Sequence, residues 1–196
     1  MKYIDFHTHH IPDETDVVAV VDGRDTWGIH PWRADEPFAV PELKGKIAIG
    51  ECGLDAVRGP LMEVQEQVFL QQIRLSEETK KPLVIHCVKA IDALLSLRRN
   101  LHPAMPWMFH GFRGKPQQLR SLLDAGFFVS FGSNSNDQSL LRCPLERLML
   151  ETDDSTRSIA EIYNNVAMKR GLDIATLCDA MAENYQTFFQ KEPILI

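Results

Sequence analysis

The chain reads as an α/β protein on a TIM-like (β/α)8 barrel, shortened or distorted in its first third. Three observations predict this. Short apolar runs without clean alternation recur along the sequence, as strands buried on both faces do. Beyond residue 60 they alternate with amphipathic helical stretches, the order that builds a parallel sheet and, repeated, a closed barrel. Side chains able to ligate a metal follow the runs: His7 and His9, Glu51, His86, His110 and Asp153.

Taken in order, strands are expected at 2–6, 17–21, 26–29, 46–50, 82–86, 106–110, 127–131 and 148–152. Eight is the number a (β/α)8 barrel requires, although 196 residues lie at the lower limit of the usual ~200 to over 400. A helix is expected over 62–80, with Val64, Val68 and Leu75 on one stripe and Phe69 and Ile73 beside it. Ile91, Leu94 and Leu95 mark another over 89–100. Leu119, Leu122 and Leu123 mark a third over 116–125, stopped at Gly126. Ile159, Ile162 and Val166 lead to a stop at Gly171, and Asp173 caps a last helix through Leu177 and Met181. About ten residues separate the first two strands and four the next two, too few for a crossover helix. The trimming therefore falls early. Residues 1–196 are expected to form one domain around a single core, with no repeat, low-complexity segment or linker visible in the sequence.

Composition sets the class. With 44% hydrophobic and 24% charged residues, the chain has an ordinary soluble balance. The amino terminus enters a strand directly, without a signal-peptide pattern, and no apolar run is long enough to span a bilayer. Cys52, Cys87, Cys143 and Cys178 show no C-x-x-C spacing, so reduced thiols in a cytoplasmic protein are expected. Cys52 and Cys87 each follow a candidate ligand by one residue, which on a strand turns them to the opposite face, into the core. Trp27, Trp32 and Trp107 are likewise expected in the core. A net charge of −6 weighs against broad attraction to duplex nucleic acid, although bound cations would offset part of it. No membrane association and no obligate protein partner are evident.

The chemistry begins at His7-Thr8-His9. A spacing of two on a strand puts both imidazoles on one face, inside a barrel the interior. Neutral imidazoles are good ligands for zinc and other first-row divalent ions. An isolated H-x-H says little, and His10 adds noise. Recurrence of Glu51, His86, His110 and Asp153 on later strands gives it weight, because chemistry in such barrels sits at the carboxyl ends of the strands.

Six blocks then carry a resemblance. His7-Thr8-His9, Gly28-Ile29-His30-Pro31, Gly50-Glu51-Cys52-Gly53-Leu54-Asp55, Pro82-Leu83-Val84-Ile85-His86-Cys87, His110-Gly111-Phe112-Arg113-Gly114 and Leu150-Glu151-Thr152-Asp153 resemble the ordered motifs of the TatD-type metal-dependent deoxyribonucleases, amidohydrolase-like barrels. The resemblance implies one or two divalent ions (Mg, Mn or Zn) and phosphodiester hydrolysis at DNA ends, single-stranded or duplex. It makes His7, His9 and Asp153 ligands of one ion, Glu51 a bridge, and His86 and His110 ligands of the second. Asp153 becomes the general base and Glu51 a catalytic ligand. His30 is placed for substrate contact, for orienting a ligand, or as a structural His in a turn. Asp55 is expected to hold a loop or to orient a ligand. Arg113 and Lys115 are expected to reach a substrate phosphate.

The departures from that pattern fall around the ligands. Val88-Lys89 stand where the family has an Arg, Ala56 where it has an aromatic, and Asp154-Ser155-Thr156 lack its Pro. The first two blocks are only about twenty residues apart. A small-molecule hydrolase of amide, lactone or phosphoester bonds therefore stands as an alternative, as does a metal-holding protein with little catalysis.

Overall fold

A computed structural model of the chain describes residues 2–193. Eight strands form: β1 (Tyr3–Thr8), β2 (Val17–Val21), β3 (Thr26–Trp27), β4 (Ala48–Asp55), β5 (Leu83–Val88), β6 (Trp107–Phe109), β7 (Phe128–Phe131) and β8 (Leu148–Leu150). Every ladder between them is parallel. β1 pairs with β2, and β3 to β8 run in chain order as a second sheet. A parallel bridge from Thr8 to Asp153 brings the two sheets together, so the barrel closes between its first and last strands.

The early trimming takes a definite form. Among the described residues no ladder joins β2 to β3. A tight turn over 22–25 connects them, with Asp25 N donating to Val21 O at 2.8 Å and Val21 N donating to Asp25 Oδ2 at 2.8 Å. No α-helix follows β1, β2 or β3; only a single 3-10 turn, Pro31–Arg33, lies between β3 and β4. From β4 onward helices return: α1 (Met62–Thr79), α2 (Ile91–Leu101), α3 (Pro116–Asp124), α4 (Asp137–Arg142), α5 (Ile159–Arg170) and α6 (Ile174–Phe189). Five of these match the expected periodicity. The short α4, capped by Asn136 accepting from Ser139 N at 3.1 Å, was not foreseen. Gly171 ends α5 in the left-handed conformation, and Asp173 caps α6 by accepting from Thr176 N at 2.8 Å.

The core is continuous. Leu83, Val84 and Ile85 of β5 are wholly buried, as are Trp107, Met108 and Val129 on the next strands. Phe69 of α1 packs against Trp107, their ring centroids 5.7 Å apart. The tail helices cover β1: Tyr163 of α5 accepts from Ile4 N and donates to Ile4 O, and Phe6 stacks near Tyr185 and Phe189 of α6.

The backbone beyond β3, which itself pairs with β4, is held differently. Gln72 of α1 accepts from Ile29 N at 2.6 Å and donates to Ile29 O at 3.1 Å, standing in for a neighbouring strand. Gln65, seven residues earlier on the same face, does the same for Asp55 and adds Pro60 O at 2.8 Å. Both amides are buried, where unpaired backbone groups would be costly.

β4 runs to Asp55, five residues beyond its expected end, so Glu51 lies inside the ladder and not after it. Gly53 permits this. Its φ of +135° and the His86 carbonyl lying where a Cβ would stand exclude any other residue. Among the described residues no helix is long and apolar enough to cross a membrane.

Candidate metal centre

The barrel seam builds the first half of the site. Asp153 adopts φ +57°, rare for a non-glycine residue, and β1 holds it there. Asp153 N donates to His7 O at 3.0 Å, and His9 N donates to Asp153 O at 3.2 Å. His7 and His9 point to the same face, as their spacing requires. His7 Nε2 lies 3.5 Å from Glu51 Oε2 and 3.7 Å from Asp153 Oδ1; His9 Nε2 lies 3.6 and 3.5 Å from the same two atoms.

These separations are too long for hydrogen bonds and of the size a shared cation imposes. Tetrahedral bonds of ~2.1 Å put ligand atoms about 3.4 Å apart. His7 is fully buried, yet neither of its ring nitrogens has a hydrogen-bond partner among the described residues. An orphaned buried imidazole is costly unless something else takes its lone pair. The donor set therefore fits a divalent ion.

Glu51 turns its other oxygen to a second group. Oε1 lies 2.9 Å from His110 Nε2, 3.0 Å from His86 Nδ1 and 3.2 Å from His30 Nε2. One carboxylate thus faces five imidazoles. Burial would raise the Glu51 pKa, but His110, His30 and His7 outweigh it and hold the carboxyl well below its ordinary range. His110 shows the converse: burial disfavours its charge, yet Glu51 and Glu151 raise its pKa well above the usual value. At Asp153 burial also opposes ionisation, and the His9 imidazole 3.5 Å away leads the interactions that lower the pKa.

A supporting layer orients these groups. Asp55 Oδ2 lies 3.1 Å from His86 Nε2 and accepts from Trp32 Nε1 at 2.6 Å, while Oδ1 takes Val57 N and Arg58 N. Asp55 therefore both holds its loop and fixes His86, a carboxylate–histidine pairing common behind metal ligands. Glu151, read in the sequence only as part of a motif, is fully buried; its Oε1 accepts from Gly111 N at 2.5 Å and lies 3.7 Å from His110 Nδ1. Asp5 accepts from Thr152 Oγ1 at 2.6 Å and Thr152 N at 3.0 Å, tying β1 to the strand end that carries Asp153; burial pushes its carboxyl up to about 7. Asp22 lies 3.9 Å from His9 Nδ1. Asp5 and Asp22 carry no motif, and only the fold places them here.

The six expected ligands are all brought together, and His30 joins them. Its Nδ1 also accepts from Trp32 N at 3.2 Å, so it caps the 3-10 turn as well. Arg113 lines the open cleft over the centre, a cavity of about 1080 Å³. Lys115 lies outside that lining, in a neighbouring groove with Asn136 and Arg142. Trp32 departs from the core expectation: it is 38% exposed on the cleft wall, with the Arg58 guanidinium 3.6 Å above its ring. Cys52 is buried as expected, whereas Cys87 is only half-buried and reaches the cleft wall.

A family model described as TatD related DNase matches residues 15–190. The uncharacterized metal-dependent hydrolase YcfH of Escherichia coli (strain K12) is 26% identical over 190 residues, covering 83% of this chain and 72% of that protein. The 3′-5′ ssDNA/RNA exonuclease TatD of Escherichia fergusonii is 28% identical over 199 residues, covering 84% and 76%. Among solved structures, YJJV, a TatD homolog from Escherichia coli K12, superposes with a TM-score of 0.77 at 20% identity, over 91% of this chain and 79% of that one.

Proposed function

The chain belongs to the TatD-related DNase family of metal-dependent hydrolases, and from that premise we propose that it removes nucleotides from the ends of single-stranded DNA or RNA with two divalent cations. The observation that carries this reading is the division of Glu51, one oxygen among His7, His9 and Asp153 and the other among His30, His86 and His110. His7, His9 and Asp153 would hold one cation and His86 and His110 the other, with Glu51 offering an oxygen to each group. The mixed imidazole and carboxylate set suits Mg²⁺, Mn²⁺ or Zn²⁺.

When bound, such cations make water acidic near neutral pH and offset charge on phosphoryl oxygens. The protein's own groups do the rest. Asp153, ionised and at the edge of the cleft, orients the attacking water and accepts its proton. His30 fixes Glu51 from the β3 side. Asp55 and Glu151 keep His86 and His110 in register. Arg113, at the cleft mouth and free of ion pairs among the described residues, meets a substrate phosphate; Lys115, from its neighbouring groove, meets the next. Few phosphates need be neutralised on a single-stranded end, which suits a chain of net charge −6. The free cysteines accord with a reducing, cytoplasmic setting.

A second reading draws support from the cleft. Ile91, Leu95 and Phe112 line it, and Val88-Lys89 stand where an Arg is expected. On that reading the same centre hydrolyses a small ester or amide. End-labelled single-stranded oligonucleotides incubated with Mg²⁺, Mn²⁺ or Zn²⁺ separate the two. Stepwise shortening is expected, lost in Glu51→Gln and lowered about 10²–10⁴-fold in Asp153→Asn. Intact oligonucleotides beside turnover of small esters or amides would select the second reading.

A further inference from the structure

We propose that a smaller pocket beside the metal centre receives the terminal sugar of the strand, and that Asp154 recognises its free hydroxyls. This deepens the nuclease reading and rests on it. The pocket has a volume of about 270 Å³ and shares its rim with the main cleft, since Gly111, Arg113, Asp153 and Asp154 line both. Beyond the rim its wall comes from the loop after β7 and the segment after β8. Ser133, Asn134, Ser135 and Thr156 are there, neutral side chains that donate and accept hydrogen bonds.

Position and charge identify the occupant. Asp153 is held in its left-handed conformation with its backbone groups bonded to His7 and His9, so the chain leaves the barrel immediately after it and sets Asp154 on the shared rim. Asp154 is exposed and forms no ion pair among the described residues. A terminal phosphate monoester would bring about two negative charges against it. A pentose brings none, and its hydroxyls donate to a carboxylate. Arg113, the one cation on the shared rim, sits where the linkage between cleft and pocket would pass.

The test compares single strands of one sequence ending in ribose, 2′-deoxyribose, 2′,3′-dideoxyribose or a 3′-phosphate. Cleavage is read as kcat/KM. Binding is read by fluorescence anisotropy on strands whose last linkage is a phosphorothioate that resists hydrolysis. Wild-type protein is expected to favour hydroxyl-bearing ends over phosphate ends by about tenfold, the worth of one hydrogen bond to a charged group. Ribose is expected to lead. Asp154→Asn is expected to level the hydroxyl and phosphate ends. Equal handling of all four ends, or preference for phosphate, overturns the pocket's role while cleavage stands. Ends ranked by anisotropy without cleavage of any strand would overturn the nuclease reading and leave the pocket. Neither cleavage nor ranking overturns both.

Discussion

The β4–β8 arc and the β1–β3 arc cover their outer faces by different means. From β4 onward the covering is local and apolar: α1 lies on β4, and Phe69 reaches Trp107 within one helical layer. The first arc has no α-helix of its own. β1 takes its cover from α5 and α6 at the far end of the sequence, and the backbone just after β3 is held by one amide side chain, Gln72. Both arcs deliver ligands to the same carboxylate. A barrel can therefore lose crossover helices and keep its centre, provided polar groups elsewhere satisfy the exposed backbone.

Mutations sharpen the contrast, because the apolar arc should fail through stability and the polar arc through the site. Phe69→Ala is expected to cost about 3–5 kcal/mol in chemical denaturation, with activity per folded molecule unchanged. Gln72→Leu removes partners from Ile29 N and O and is expected to cost about 1–3 kcal/mol. Unlike Phe69→Ala, it should also lower activity under conditions where the protein stays folded, since His30 follows Ile29 directly. Retained activity in Gln72→Leu would remove the distinction. Asp55→Asn tests the junction of the two arcs, where one carboxylate holds Trp32 from the first and His86 from the second. A loss of about 10–100-fold in metal affinity or kcat is expected, with little change in melting temperature.

The smallest expected effect lies on the borrowed cover. The Thr176 hydroxyl and amide hold the Asp173 carboxyl below its ordinary pKa. A depressed folded-state value means the cap stabilises fully above the unfolded-state pKa and loses that contribution as pH falls through the folded-state one. Asp173→Asn should therefore flatten the acid limb of a stability–pH curve while leaving a neutral cap in place. An unchanged limb would detach the cap from the acid response.

Much of this was legible in the residues, and the exceptions have physical causes. Buried parallel strands announce themselves through runs such as Leu83-Val84-Ile85, and helices such as α5 through their spacing and closing Gly171. The apolar run ends at residue 50, which sets the expected end of β4, and Glu51, Gly53 and Asp55 are poor strand formers; pairing with β5 on both sides of Gly53 carries the strand through them. The short α4 has too few turns to display a period. Trp32 looked like core because large aromatics usually are, and nothing local reveals that Asp55 holds its indole at the cleft. Glu151 stood beside Asp153 in plain view, but its service to His110 depends on Gly111 arriving from another strand. The ligand candidates stand out because their chemistry is scarce; among their supports Asp55 stood in a motif, whereas Asp5, Asp22, Gln65 and Gln72 carry no pattern of their own.

The joining of Thr8 to Asp153 has a consequence for the life of the chain. The proposed donors to the first cation lie at residues 7, 9, 51 and 153, so a growing polypeptide has no complete cage until residue 153 has been added. A cation held there would act as a clasp on the Thr8–Asp153 bridge that joins β1 to the segment after β8. Occupancy should then favour the closed form by mass action, making the amount of available metal a determinant of how long the folded protein lasts.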